Sequence, residues 1–149
     1  MKQHLPLLKR LRAKLVEAQF EGDDSVNGLC GVFSYAVYRL LRKMGLKPQL
    51  QGNNYHVFVR CGLWYVDLTG SQFNEKKRKI KLPSVYLKQH PYDQAKPTYA
   101  TTGIHHTQHV YRSEADFLAA MQRWHIQLTP HKTTINQIVD ELLQPKQPS

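Results

Sequence analysis

Cys30, His56 and Asp67 follow one another along this chain in the order thiol, imidazole, carboxylate. A thiol becomes a nucleophile when it loses its proton, and histidine is the side chain suited to take that proton near neutral pH. A carboxylate beside the histidine fixes its tautomer and stabilises its charged form. The three residue types together can carry out acyl transfer through a covalent intermediate, provided the fold brings them into contact. Each also has a plainer role. A free cysteine is commonly a small buried apolar residue, and a histidine facing an aspartate can be a structural pair.

The elements that must position them can be read from spacing. The run 21–28, Glu-Gly-Asp-Asp-Ser-Val-Asn-Gly, is loop and helix-capping chemistry. Cys30 follows it, one or two residues inside the start of a helix expected over 29–44. At that start, unpaired backbone N–H groups and the helix dipole favour an anion, and hence a thiolate. Phe33, Ala36, Val37, Leu40, Leu41 and Met44 give this helix a broad apolar face, and Gly45 ends it. It should therefore be the central helix of the domain.

His56 and Asp67 fall on two segments, 55–60 and 63–68, rich in aromatic and β-branched residues and separated by Cys61-Gly62. These read as a β-hairpin. A two-residue loop at Cys61-Gly62 pairs Arg60 with Leu63 and sets His56 directly opposite Asp67, with Cβ atoms about 5 Å apart. A three-residue loop with Gly62 at a bulge would slip the register by one and part them. The apolar pattern selects the first arrangement, because Val57, Val59, Trp64, Val66 and Leu68 then share one face. Cys61 is placed at the hairpin tip.

Elsewhere, Leu5, Leu8, Leu11, Leu15 and Ala18 mark an amphipathic helix over 5–20. A further strand is expected within 80–88, and 90–107 reads as loop. Ser113 caps a helix running to about Trp124, with Asp116 as its partner. Thr134 opens a last helix carrying Ile135, Ile138, Val139, Leu142 and Leu143. The expected fold is α+β: a central helix bearing the nucleophile on a small antiparallel sheet, with flanking helices at both termini. Residues 1–144 read as a single domain and 145–149 as a frayed tail.

Composition narrows the partners. The chain has 149 residues, 41% of them hydrophobic, and a formal net charge of +10. No apolar run approaches the roughly 18 residues of a membrane span, and the basic N-terminal segment lacks a signal peptide's apolar stretch. A cytoplasmic protein is expected, or one exported by a route that needs no signal peptide. The charge calls for an acidic partner. The Lys76–Lys81 cluster reads as a solvated loop, and Tyr86, Tyr92, Tyr99 and Tyr111 form no RNA-binding signature, so a nucleic-acid partner is not expected. Cys30 and Cys61 make no CxxC pair. His105, His106 and His109 have zinc-ligand spacing only if helical and lack a cysteine or acidic companion, so neither a metal nor a cofactor is expected.

The runs Asn27-Gly28-Leu29-Cys30-Gly31-Val32-Phe33-Ser34, His56-Val57-Phe58-Val59 and Trp64-Tyr65-Val66-Asp67-Leu68-Thr69 resemble the core of the papain-like and transglutaminase-like superfamily. Asp67 to Phe73 is similar to small bacterial and phage-borne members of that group. The resemblance covers roughly residues 24–73. It implies a nucleophile opening a central helix packed on an antiparallel sheet, with the histidine and acid on adjacent strands. It also implies amide-bond chemistry on a protein or peptide: peptidase, amidase or glutamine deamidase. Asp24 stands where papain-type enzymes carry their oxyanion glutamine. The backbone N–H of Cys30 is then the first candidate donor, with Gln72 or Asn27 the second. The alternative is a non-catalytic basic module on the same fold that binds protein or nucleic acid.

Overall fold

The computed structural model describes residues 1–20, 29–52, 56–73, 82–89 and 109–145. Its helices are α1 (Leu5–Glu17), α2 (Cys30–Lys43), α3 (Glu114–Arg123) and α4 (Lys132–Leu143). Its strands are β1 (Pro48–Gly52), β2 (Val57–Cys61), β3 (Trp64–Asp67), β4 (Tyr86–Gln89) and β5 (His109–Val110). They form one sheet in the order β4-β3-β2-β1-β5, with every neighbouring pair antiparallel. The fold is α+β with helices at both termini, as the sequence leads one to expect. No helix among the described residues is long and apolar enough to cross a membrane.

Every residue of α2 except Arg39, Arg42 and Lys43 is buried. A helix buried on nearly all sides must lie between layers, and α2 contacts β1 and β2 on one side and α1 and α4 on the other. It ends where the periodicity stops. Gly45 takes φ +84°, and the Gly45 and Leu46 N–H groups return to the carbonyls of Arg42 and Leu41, closing a Schellman motif. From α1, Leu8, Leu11 and Leu15 join the same core without exposure. Truncating one such leucine to alanine costs about 2–5 kcal/mol.

The two sheet faces are distinct. Leu50, Val57, Val59, Cys61, Val66 and Leu68 belong to the main core with the helices. Phe58, Tyr65, Tyr86 and Leu82 form a second cluster, as strand alternation requires. Arg60 is 2% exposed on the second face, with its guanidinium 4.3 Å from the Tyr65 ring.

Several boundaries differ from the sequence reading. Strands β1 and β5 were not foreseen: Pro-Gln-Leu-Gln-Gly has no β-branched residue and begins and ends with turn formers, and β5 has only two residues. Helix α4 starts at Lys132 rather than Thr134, because a 3-10 turn over Thr129–His131 feeds straight into it. Ser113 caps α3 as expected, its Oγ accepting from the Asp116 N–H at 3.1 Å. Of the strand expected over 80–88, the described residues form only β4, Tyr86–Gln89, and 82–85 lie outside it. The basic stretch 76–81, the loop 90–107 and nearly all of the tail lie outside the described residues.

Candidate active site

Cys30 is the first residue of α2, and the N-cap residue Leu29 has no side-chain oxygen to satisfy the N–H groups of the first turn. Its thiol is buried, with 6% exposure. The neighbouring Gly31 permits this packing: a Cβ there would stand 2.8 Å from Met121 Sδ and 3.2 Å from Ile126 Cγ2. One turn further on, Ser34 donates its hydroxyl to the Val57 carbonyl at 3.0 Å, inside the core. That bond fastens the nucleophile's helix to the residue directly after His56.

His56 immediately precedes β2 and is completely buried. Its ring stacks on Phe58 at 6.4 Å between centroids. His56 Nε2 lies 2.7 Å from Asp67 Oδ2, and the Cys30 side chain stands near enough to the same ring to raise its pKa. Burial alone would lower the imidazole pKa. The adjacent Asp67 carboxylate outweighs burial, Cys30 adds to the effect, and the pKa rises to about 10. The Asp67 carboxylate therefore favours the charged form of the ring.

Asp67 closes β3 and is 1% exposed. Its second oxygen, Oδ1, accepts from the Thr69 N–H at 2.9 Å and from Thr69 Oγ1 at 3.4 Å, an Asx-type turn that locks the carboxylate plane. Gly70 gives the carboxylate room, since a Cβ there would come within 3.0 Å of Asp67 Oδ2 and 3.1 Å of Leu82 Cδ1. On the far side of His56, Gly52 plays a comparable part, because a Cβ on it would meet the His56 carbonyl at 2.9 Å.

The hairpin register corrects the sequence reading. Val59 pairs with Val66, Arg60 with Tyr65 and Cys61 with Trp64, so the two-residue turn is Gly62-Leu63 rather than Cys61-Gly62. Gly62 has φ +60°, and Leu63 is not among the positive-φ residues. Glycine at the first central position is the pattern of a II′ turn, which the right-handed strand twist favours. The register thus moves by two residues, which preserves the faces. His56 and Asp67 become diagonal neighbours instead of direct partners, and their side chains still meet. Cys61, placed at the tip by the sequence reading, is instead a buried strand residue facing the main core, and burial pushes its thiol pKa up.

Of the proposed oxyanion donors, Gln72 sits in a 3-10 turn over Gly70–Phe73, just past Asp67, and Asn27 lies outside the described residues. The sequence reading missed Ser34, Thr69, Gly70 and Tyr111. Ser34 was legible as a hydroxyl four residues after Cys30 in an otherwise apolar helix, and Thr69 as the residue two past an aspartate. Tyr111 carried no signal. Its hydroxyl is buried without a hydrogen-bond partner, and burial followed by the charge of Cys30 raises its pKa. His109 lies in β5, so the helical geometry that a zinc reading needed is not met there. Among the described residues no group of three His, Cys, Asp or Glu could hold a metal ion. Compared with family models, with curated proteins and with solved structures, the chain matches none.

Proposed function

We propose that this protein is a cysteine-dependent hydrolase or acyltransferase acting on an amide bond of a protein or peptide, with Cys30 as nucleophile, His56 as base and Asp67 as orienter. The observation that carries this reading is the position of His56, wholly buried, bonded to Asp67 at 2.7 Å and close enough to Cys30 for that side chain to raise its pKa. A cross-strand structural pair accounts for the aspartate contact alone. It does not account for a thiol at the start of a helix standing near enough to influence the same ring.

With Nε2 committed to Asp67, Nδ1 is the ring nitrogen left to exchange a proton with Cys30. With Nδ1 of His56 already holding the Cys30 proton, sulfur attacks the carbonyl carbon, and the tetrahedral oxyanion forms beside the first turn of α2. The Cys30 N–H is the first donor to it, with Gln72 or Asn27 supplying the second. Breakdown expels the amine, which takes the proton from His56, and leaves a thioester. Water or an acceptor amine then attacks the thioester, His56 taking its proton and returning it to sulfur. Hydrolysis of a peptide bond, release of ammonia from glutamine and transfer to an amine differ only in the leaving and accepting groups.

The test is intact-mass detection of an acyl-thioester after mixing with a panel of reactive amides and glutamine peptides. The expected adduct maps to Cys30, is absent in Cys30→Ala and forms slowly in His56→Ala. Turnover by Cys30→Ala equal to wild type on any accepted substrate would refute the reading. Iodoacetamide supplies a substrate-free check: Cys30 should alkylate faster than Cys61 at neutral pH, and His56→Ala should remove that difference.

A further inference from the structure

We propose that the cleft between the C-terminal end of α2, the start of β1 and the N-terminus of α3 binds a small organic phosphate. The cavity has a volume of about 340 Å³, and Arg42, Lys47, Arg60 and Arg112 line it together with Tyr38 and Ser113. Among the described residues that line it there is no aspartate or glutamate. The exposed Arg42, Lys47 and Arg112 around one concavity repel one another, and an anion seated between them relieves that repulsion.

The distribution of acids reinforces the point. Lys14, Arg39 and Lys43 each face a carboxylate, respectively Glu141, Glu114 and Asp140. Glu114, the carboxylate nearest the cleft in sequence, is thus turned to Arg39. Lys47 and Arg112 form no ion pair with any described residue and are exposed at the rim. Arg42 is fixed in place, its Nη1 donating to the Tyr38 hydroxyl at 3.0 Å, while Arg60, buried at the cleft wall, keeps its guanidinium over the Tyr65 ring. A guanidinium held as Arg42's is held is preorganised for the oxygens of a phosphoryl group.

Size selects among anions. Pockets for small ligands run from about 300 to 1,000 Å³, and this cleft lies at the lower end. A small cleft with its cations clustered suits a compact ligand, whereas a nucleic-acid backbone calls for an extended basic stripe. Arg42 lies twelve residues after Cys30 on the same helix, about 18 Å along its axis. The bound phosphate is therefore not the reacting group, and the proposal stands whether or not Cys30 is a nucleophile.

The probe is inorganic pyrophosphate, titrated at ionic strength held constant with sodium chloride and followed by amide shifts in ¹H–¹⁵N spectra. The expected result is saturable binding at one site, with the amides of Gly62, Arg112 and Ser113 shifting together. The exposed pair Lys47→Ala/Arg112→Ala should weaken binding by roughly tenfold or more, as loss of charge-assisted contacts does. Lys9→Ala/Arg10→Ala, on α1, should bind as wild type does. Failure to saturate, or equal affinity in both double variants, overturns the proposal. So does sulfate binding as tightly as pyrophosphate, which would mark an adventitious ion only. A single-stranded oligonucleotide that binds undiminished in the Lys47/Arg112 variant while displacing pyrophosphate would also overturn it.

Discussion

Asp67 divides its two oxygens between two tasks: Oδ2 meets His56, and Oδ1 is tied down by Thr69. Asp67→Asn keeps the shape but can present an amide N–H to the ring and cannot stabilise imidazolium. Turnover should fall by an amount on the order of 10⁴-fold while the fold persists; a purely structural pair would instead lower the melting temperature and leave the single-turnover rate intact. The same pair makes stability depend on pH. The folded state raises the His56 pKa from 6.5 to about 10, so it holds this proton more tightly than the unfolded chain does. The contribution is complete below about pH 6.5 and is lost as pH rises towards 10. Urea denaturation at a series of pH values should show stability falling across that window, and Asp67→Asn should flatten the fall.

At the scale of elements, the hairpin explains both what the sequence revealed and what it hid. The alternation of Val57, Val59, Val66 and Leu68 against His56 and Asp67 decides which face each residue takes, and a period of two cannot distinguish registers that differ by two. Contact between His56 and Asp67 was therefore legible while their exact pairing was not. The deciding residue is Gly62, whose φ of +60° is a conformation that L side chains resist. Nothing lies within 4 Å of a Cβ built on it, so the cost of substitution is conformational alone. Gly62→Ala should lower stability by about 1 kcal/mol, and Gly62→Asn by less, as read from denaturation midpoints. Gly70 behaves in the opposite way: its φ is ordinary, and the obstacle is contact with Asp67 Oδ2 and Leu82. Gly70→Ala should push the carboxylate off His56, so that Cys30 alkylation loses its advantage over Cys61 and the melting temperature falls at neutral pH.

Across the whole molecule, acids late in the chain pair with bases early in it: Glu141 with Lys14, Glu114 with Arg39 and Asp140 with Lys43. Partly exposed pairs of this kind contribute about 0–1 kcal/mol each, so the helical layer owes its cohesion to buried leucine, valine and isoleucine. That layer was legible because helical periodicity is long-range and redundant. Strands β1 and β5 were not, since their places depend on partners rather than on their own residues. The position of Cys61 in the core carries a consequence for oxidative damage. Five residues of strand separate it from His56, about 16 Å, whereas a disulfide needs Cα atoms within about 7 Å. Peroxide acting on Cys30 should stop at a sulfenic acid that no thiol within these 149 residues can resolve. Only an outside thiol such as glutathione could cap it before irreversible oxidation. Mass analysis of peroxide-treated protein should find oxygen added at Cys30 and no Cys30–Cys61 cross-link, and a cross-link would mean that the core opens far more readily than its packing implies.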